Sequence, residues 1–417
     1  MQRSNQKIRM KPGTYTVNDT LKDNDKTVFR CSGSNNWFDL RGVTIQVPTG
    51  VLSDMPNAGA HALGSWRIPG NHNRFLGATF RNTGDEPPRR GLSEFSVTGD
   101  HNSFRKCTFI IRGSAPYGYG DMYGKGGDNY VGLHKHSAMA INGNNNLVES
   151  CTFDVKSFGH GIHMHGGATN TRIRDVQLEG ILRHGTDIYT EENGPAADYD
   201  YEIYYPKWER GEPIPKNRMI PLTEDGIRAY DCRKTTIEQC TVRRMRGGIT
   251  MVQGKNTTVT NCTVLDCGYG YSLPSNGTVD QSGGNASVGP LIRSHYSNRS
   301  NFQLDLRLIP AKQTFGEYQL ANLVGSGHRV KLRYDGPIPD MRQPILVGWA
   351  WGQLGEGRWA ADSTDADTLS KSHRARDITL VNQTPHPVIL TRFSKNCAVR
   401  SKGPVKDRGS KNHVKTS

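Results

Sequence analysis

Histidine, tyrosine, acidic and basic residues alternate with apolar residues in three short segments of the chain: GHGIHMHG, HGTDIYT and DGIRAYD. Every second side chain of an extended strand faces the same way. If the segments lie side by side as strands, their polar side chains form two neighbouring rows: His163, Asp187 and Arg228 in one, and His165, Tyr189 and Tyr230 in the other. Two rows of ionisable groups on one surface predict a functional groove.

The chemistry best suited to these rows is β-elimination in a uronate-containing polysaccharide such as alginate or glucuronan. That reaction needs a cation beside the C6 carboxylate, a base for the C5 proton and an acid for the leaving oxygen. A lysine or arginine can neutralise the carboxylate, a histidine or lysine can act as the base, and a tyrosine as the acid. We therefore expect catalytic roles for Lys135, His163, Tyr189 and Arg228, and substrate contacts from His136, His165, Arg183, Asp187 and Tyr230.

Two other classes of function remain open on the same surface. A glycoside hydrolase would use two carboxylates that flank a glycosidic bond, and Asp187 could pair with Asp225, Glu224 or Glu191 for this purpose. A non-catalytic glycan-binding module would need no such pair, although surfaces of that kind usually show a row of exposed aromatic residues. A lyase leaves an unsaturated product and a hydrolase does not, so the product distinguishes the two enzymes.

Histidines and carboxylates near the groove also allow a metal ion, whose identity the pattern leaves open. The HxxHxH spacing of His160, His163 and His165 resembles a zinc cluster, but His160 would face away from the other two on a strand, so zinc would need Asp187 as well. His160 is therefore expected to be a turn or packing residue. The carboxylates at the two ends of segment 190–224 could anchor that segment or bind calcium, the one candidate cofactor among the hard cations; they are Glu191, Glu192, Glu224 and Asp225.

The spacing of four Cys-Thr pairs indicates a repeat of about 22 residues. Cys262 follows Cys240 by 22 residues, Cys151 follows Cys107 by 44, and Cys240 follows Cys151 by 89, close to four repeats. Only 34% of the residues are hydrophobic, which suits a solenoid, because each coil packs against its neighbours alone and needs few inward apolar side chains. The prediction is an all-β fold with little helix, a single right-handed parallel β-helix in which the repeated cysteines form a buried ladder without disulfides.

The whole chain, residues 1–417, is expected to form this one domain. Residues 1–60 would cap the β-helix and form its first coils, and a long loop insertion at 190–224 would leave one coil and return at the next. Segments such as NLVESCTFDV and TTIEQCTVRR fit one strand position, and GHGIHMHG, HGTDIYT and DGIRAYD fit a second. Residues 400–417 are expected to be a basic, disordered tail.

The formal net charge of +14 favours a polyanionic partner. Nucleic acid is not expected, because the chain shows no RRM, zinc-finger or helix-turn-helix signature. An acidic polysaccharide is therefore the expected partner, and the protein is expected to be a monomer. The chain has no long apolar run for a membrane span and no apolar leader at its start, so a secreted or periplasmic location would need a leader that this chain does not carry.

Four segments resemble a family of known proteins: VGLHKHSAMAINGNN, SFGHGIHMHG, LRHGTDIYTEENGPA and TEDGIRAYDC. They are similar to bacterial right-handed β-helix proteins grouped with polysaccharide lyases, and more loosely to the alginate lyases of polysaccharide lyase family 31. The resemblance covers residues 115–270, and KHS, GHG and EDGIR are its most specific parts. It implies the β-helix fold and lyase activity. In such proteins a lysine precedes the EDG motif, where this chain has Ile220, and Lys216 is a nearby alternative.

Overall fold

The alternating segments form short strands that stack in parallel, coil upon coil. A computed structural model describes residues 1–22, 26–53, 55, 64–84, 86, 88, 91–113, 135–184, 219–221, 223–251, 254–273, 276–287, 289–294, 302–310, 319–334, 336, 342–348 and 374–416. The only helix among them, Thr49–Ser53, is far too short to cross a membrane. The predicted right-handed parallel β-helix is confirmed.

The chain divides into two compact units, Met1–Arg246 and Gly247–Ser417. In the first unit the strands form three parallel stacks. Stack 1 contains Lys7–Arg9, Trp37–Asp39, Arg74–Leu76, Ser103–Arg105, Leu147–Glu149, Arg172–Arg174 and Thr236–Glu238. Stack 2 contains Gly13–Thr16, Val43–Pro48, Thr79–Thr83, Thr108–Ile111, Thr152–Val155, Gln177–Glu179 and Thr241–Arg243. Stack 3 contains Phe29–Arg30, Gly64–Ile68, Leu92–Val97, His136–Ile141, Ile162–Met164 and Asp225–Ala229.

Short additional strands complete the first unit. Ala168–Thr169 pairs in parallel with Cys232–Arg233, and Leu182–His184 pairs in an antiparallel manner with Met219–Pro221. Ile162–Met164 pairs directly with Asp225–Ala229, so no strand lies between these two in stack 3.

The second unit repeats the same architecture. One parallel sheet contains Thr258–Thr260, Thr263–Cys267, Thr278–Ala286, Gln303–Leu308, Arg329–Tyr334, Thr379–Asn382, Ala398–Ser401 and His413–Thr416. A second contains Gly247–Thr250, Tyr269–Ser272, Ile292–Arg293, Ala321–Leu323, Ile345–Val347, Val388–Leu390 and Val405–Asp407. The remaining short strands are Gly254–Lys255, Gly325–Ser326, Ala375–Arg376 and Ser394–Lys395.

Inside the first unit, equivalent positions of successive coils line up in columns. Phe38, Phe75 and Phe104 are register partners in stack 1, and their rings stack with centroids 4.6 and 4.8 Å apart. In stack 2, Phe109 and Phe153 stack in the same way at 4.5 Å. Each ring packs on the one above and the one below, so a few apolar residues per coil bury a continuous core.

The repeated cysteines occupy the corner between stack 1 and stack 2. The residue before each has positive φ, with values of 53° at Lys106 and 51° at Ser150. The thiols of Cys107 and Cys151 each donate to the carbonyl oxygen two residues earlier, at 3.3 Å. All eight cysteines are buried and free, which agrees with the predicted ladder.

Two predictions about the repeat were wrong. Thr108 pairs directly with Thr152, so the 44 residues from Cys107 to Cys151 make one coil and not two. The 89 residues from Cys151 to Cys240 make two coils and not four, since Gln177 lies in the one strand between them. Residues inserted between strands lengthen individual coils without changing the register. A spacing in sequence therefore does not give the number of coils. Segments such as NLVESCTFDV are likewise two strands with a corner between them.

Both ends of the chain carry paired strands. Strand Lys7–Arg9 already pairs with Trp37–Asp39, so the coils expected within residues 1–60 begin in the first ten residues. The basic segment 400–417, expected to be disordered, contributes strands to the last coil: Ala398–Ser401 pairs with His413–Thr416. Its charged side chains point outward while the backbone continues the sheet, so a high charge did not prevent order.

Candidate functional site

The candidate site lies where four successive coils enter stack 3. Backbone hydrogen bonds join these coils: the amide of Ala138 donates to the carbonyl of His160 at 2.8 Å, that of Gly161 to Asp225 at 3.1 Å, and that of Arg246 to Glu224 at 3.0 Å. Residues distant in sequence are thereby stacked at one level. The side chains that meet there, called the polar cluster below, are Lys135, His160, His163, His165, Glu224, Asp225, Arg228, Tyr230 and Arg246.

Two glycines allow His160 to enter this position. A Cβ atom on Gly159 would collide with the carbonyl of His136, and one on Gly161 would collide with the Leu178 side chain and lie 2.6 Å from the carbonyl of Gly226. The close approach of backbones therefore requires glycine on both sides of the histidine. This requirement is the physical reason for the GHG motif.

Glu224 is the centre of the cluster and is fully buried. One of its oxygens, Oε2, lies 2.5 Å from Lys135 Nζ and 3.0 Å from His160 Nε2, and Oε1 lies 3.4 Å from an Arg246 guanidinium nitrogen. Burial raises the pKa of this carboxyl, but His160, Lys135 and Arg246 lower it by more, so the pKa stays well below its ordinary value. Glu224 is an anion that the cluster cannot readily protonate.

His160 is held as a neutral donor. Its Nδ1 accepts a hydrogen bond from the backbone amide of Asp225 at 3.1 Å, so in the neutral ring the proton is on Nε2. Nε2 faces both Glu224 and the hydroxyl of Tyr230, the latter at 2.7 Å. Burial lowers the pKa of His160 to about 4 although Glu224 opposes the shift, so the ring is uncharged near neutral pH. Lys135 and Arg246 therefore supply the positive charge around Glu224.

Asp225 forms the second buried anion of the cluster. Its carboxylate lies 3.0 Å from Nη1 of Arg228 and 3.4 Å from Nε of Arg246. Arg246 thus contacts both carboxylates, and Arg228 keeps 19% of its side chain exposed. Lys135, Arg228 and Arg246 are the cations that these ion pairs place against the two carboxylates.

Tyr230 links the buried part of the cluster to its exposed part. The ring of His165 stacks on the Tyr230 ring with centroids 4.3 Å apart, and the Arg228 guanidinium carbon lies 4.8 Å from the same ring. Burial and the charge of Glu224 raise the pKa of Tyr230, so its hydroxyl keeps its proton at neutral pH. His165 Nε2 lies 3.2 Å from His163 Nδ1. The protonated hydroxyl of Tyr230, the His165 imidazole and the Arg228 guanidinium thus lie close together around the Tyr230 ring.

Five of the predicted site residues come together as expected. His163 and Arg228 are direct register partners in stack 3, and His165 and Tyr230 are stacked. Lys135 joins them through Glu224. Two of the three members of each predicted row are therefore neighbours, with no strand between His163 and Arg228.

His136 does not belong to the groove. Its ring is fully buried, with Nδ1 2.5 Å from the carbonyl of Arg112 and Nε2 2.9 Å from Oε2 of Glu94. The expected substrate contact is therefore wrong: alternation points His136 into the coil, whereas Lys135, one residue earlier, reaches the cluster.

Three predicted residues cannot be placed. Asp187 and Tyr189 lie outside the described residues, as does the side chain of Arg183. The strand position predicted for Asp187 and Tyr189 between His163 and Arg228 is wrong, because those two residues are paired directly.

The sequence analysis missed two members of the cluster. His160, expected to be a packing residue, is hydrogen-bonded to Tyr230, and Arg246 was not considered. The sequence contains a signal for each of these two residues. The two glycines flanking His160 restrict its position, and Arg246 follows Glu224 by 22 residues, the predicted coil length.

The metal hypotheses find little support in the donor set. His160 faces Glu224 and Tyr230, while His163 lies between His165 and Ser93 Oγ, the last at 3.0 Å, so the three histidines do not converge. Of the carboxylates that could bind calcium, Glu224 and Asp225 already face lysine and arginine nitrogens, and Glu191 and Glu192 lie outside the described residues. Within the part of the chain that the structure describes, no group of three or more His, Cys, Asp or Glu is placed to hold a metal ion.

Comparison with known proteins agrees with the architecture. The family model described as right handed beta helix region matches residues 128–288, less than half of the chain. No curated protein sequence matches the chain. The similar solved structures include a PL6 alginate lyase in complex with a trisaccharide (10% identity, TM-score 0.48, 99% of this chain and 79% of that chain). They also include a mannuronic acid specific polysaccharide family 6 lyase from human gut microbiota (11%, 0.43, 96% and 77%) and an endo-xylogalacturonan hydrolase from Aspergillus tubingensis (10%, 0.36, 98% and 85%). Such identities are too low to assign an activity, and the resemblance to polysaccharide lyase family 31 stays a prediction.

Proposed function

We propose that the protein is a polysaccharide lyase that cleaves an acidic, uronate-containing polysaccharide by β-elimination. One observation supports this most strongly: both carboxylates of the polar cluster are buried in ion pairs, and the groups nearer the surface are cations, an imidazole and a protonated tyrosine. These are the groups that elimination beside a carboxylate requires.

Each role follows from a contact. Arg228 is the most exposed of the three cations and neutralises the C6 carboxylate, which acidifies the C5 proton. His165, which His163 orients, takes that proton. The electron pair of the C5–H bond forms the C4–C5 double bond, and the C4–O4 bond breaks. Tyr230 then gives its proton to the leaving O4, and solvent exchange restores both groups.

The surroundings of Tyr230 suit the role of acid. Because His160 Nε2 carries the ring proton, the Tyr230 hydroxyl oxygen accepts at this contact and its own proton points away from His160. When the proton leaves, the His160 donor and the Arg228 guanidinium both stabilise the tyrosinate. Lys135 and Arg246 hold Glu224 ionised, and their positive charge attracts the polyanion.

A hydrolase is less well supported by this cluster. Its general acid must be a carboxyl group that is protonated near neutral pH. Glu224 has a pKa well below its ordinary value because three cationic or donor groups surround it. The described carboxylates therefore favour elimination. An acidic polysaccharide partner, a monomeric state and a location outside the cytoplasm belong to the same proposal.

The test is a screen of the purified protein on alginate, glucuronan, pectate and glycosaminoglycans. We expect the ultraviolet absorbance of the C4–C5 double bond to rise with at least one of them. Tyr230→Phe should lower that rate about 100-fold or more, whereas Tyr15→Phe, at an exposed tyrosine of stack 2, should not change it. New reducing ends without absorbance would refute the lyase and support a hydrolase.

A further inference from the structure

A second surface feature lies on stack 1, away from the strands of the polar cluster. It is a cleft of about 530 Å³ that runs across four coils. Trp37, Arg74, Ser103 and Leu147 occupy the same register position in successive strands and line it. Three steps between neighbouring strands make this row roughly 14 Å long. The cleft is thus an extended track and not a closed pocket.

Trp37 lies at one end of the track with 43% of its surface exposed. Lys7 is its register partner on one side, with Nζ 5.9 Å from the indole centroid, and Arg74 is its partner on the other. An exposed indole between two cations presents a flat apolar face for a sugar ring and positive charge for its acidic substituents.

The charge of the track is not cancelled locally. Among the described residues, neither Lys7 nor Arg74 has an ion-pair partner. The two acidic side chains on these strands, Asp39 and Glu149, each already lie beside two arginines. An anionic ligand would therefore find unpaired positive charge there.

The corner before each of these strands forms one wall of the cleft. This corner has positive φ in every coil, and asparagine, which tolerates that conformation well, occupies it at Asn35, Asn145 and Asn170. Two adjacent coils instead carry His72 and His101, both with φ of 57°. Their exposed rings stack with centroids 4.6 Å apart and planes within 4°. His72 and His101, in place of asparagine, form a flat wall with polar edges beside the track.

We propose that this cleft is a second saccharide site, which binds an anionic sugar chain and holds it on the protein without cleaving it. The sugar ring stacks on Trp37, the acidic groups pair with Lys7 and Arg74, and hydroxyl groups contact Ser103 and the histidine wall. Anionic sugar is assigned from the cleft itself; the choice of a uronate as that sugar rests on the proposed function.

Titration calorimetry measures the binding of alginate and pectate oligosaccharides to the Tyr230→Phe protein. This tests the site without consuming the ligand. Trp37→Ala should weaken binding about tenfold, and Trp37→Phe should recover part of the loss. Arg74→Ala should weaken it several-fold and flatten its dependence on salt. The matched controls are Tyr15→Ala, at an equally exposed aromatic residue, and Arg81→Ala, at an exposed arginine of stack 2. Neither should change the affinity.

Equal binding by the parent, Trp37→Ala and Arg74→Ala would overturn the proposal. So would tighter, Trp37-dependent binding of a neutral cello-oligosaccharide or of single-stranded DNA. Trp37-dependent binding of a sulfated oligosaccharide supports the site and changes only the acid it prefers. The two proposals fail separately: a protein that cleaves no uronate but loses oligosaccharide binding in Trp37→Ala keeps the second site and loses the lyase.

Discussion

Two buried glutamates of the first unit each contact a histidine, and their surroundings make them different. Glu94 receives hydrogen bonds from Trp66 Nε1 at 3.1 Å and Asn82 Nδ2 at 3.2 Å, and lies 2.9 Å from His136. Its partners are interior side chains fixed by their own coils. Such a network, with its partners satisfied, rigidifies a core and offers nothing to a substrate.

Glu224 and His160 are just as buried and lie at nearly the same distance, 3.0 Å. Here the other partners are the cations Lys135 and Arg246, and His160 leads on to Tyr230. We call Glu94–His136 the structural pair and, under the proposed function, Glu224–His160 the functional pair. The pairs make opposite predictions for stability and for activity.

The largest effect is expected when the structural pair is broken. Glu94→Ala leaves the donors of Trp66, Asn82 and His136 without an acceptor, so the free energy of unfolding should fall by about 3–5 kcal/mol. Urea denaturation followed by circular dichroism measures it. Glu238→Ala is the control, because Glu238 is partly exposed in its pair with Arg172 and should cost less than about 1 kcal/mol. Equal losses would remove the distinction between interior and surface pairs.

The pH dependence of stability should reveal His160. Its pKa of about 4 in the folded protein lies below its ordinary 6.5, so between these values the unfolded chain binds a proton that the folded chain does not. Stability is therefore lost as pH falls from 6.5 to 4, by up to about 3 kcal/mol for this residue. His160→Gln should reduce the slope in this window. His328 and His386, whose pKa values burial also lowers, add to the slope. An unchanged slope in the variant would show that the pKa of His160 is not lowered in the folded protein.

Removing one cation from the functional pair should affect activity more than folding. Lys135→Met removes the ammonium group 2.5 Å from Glu224, so the pKa of Glu224 should rise. Turnover should fall about 100-fold, equivalent to roughly 2.7 kcal/mol. Initial rates on the best substrate give the effect. Lys106→Met, at an exposed lysine of a stack corner, should leave the rate unchanged. Retention of full activity would restrict Lys135 to a structural role.

The smallest effect is expected from a conservative change at the cluster surface. Arg228→Lys keeps the charge but loses the planar guanidinium that contacts both Asp225 and the Tyr230 ring. We expect about a tenfold loss of kcat/KM with little change in the free energy of unfolding. Arg233→Lys, at an exposed arginine nearby in sequence, serves as the control. A larger loss of stability than of activity would place Arg228 with the structural network.

Much of the fold could be predicted, because parallel coils repeat one alternation of apolar and polar residues. The alternation identified the row of His163 and Arg228 and the stacking of His165 on Tyr230. It failed at His136, since KHS and GHG look alike as patterns and only the side on which each histidine lies separates them. The alternation failed again in counting coils. Residues inserted between two strands change the spacing in sequence but leave the strand register unchanged.

The antiparallel pairing of Leu182–His184 with Met219–Pro221 has a consequence for how such a protein could diversify. The segment leaves and returns through one strand pair, while the coils on either side remain joined in register. A segment of different length or composition could be exchanged at this pair without shifting His163 against Arg228. Grafting at this pair is then expected to leave the strand register of the cluster unchanged.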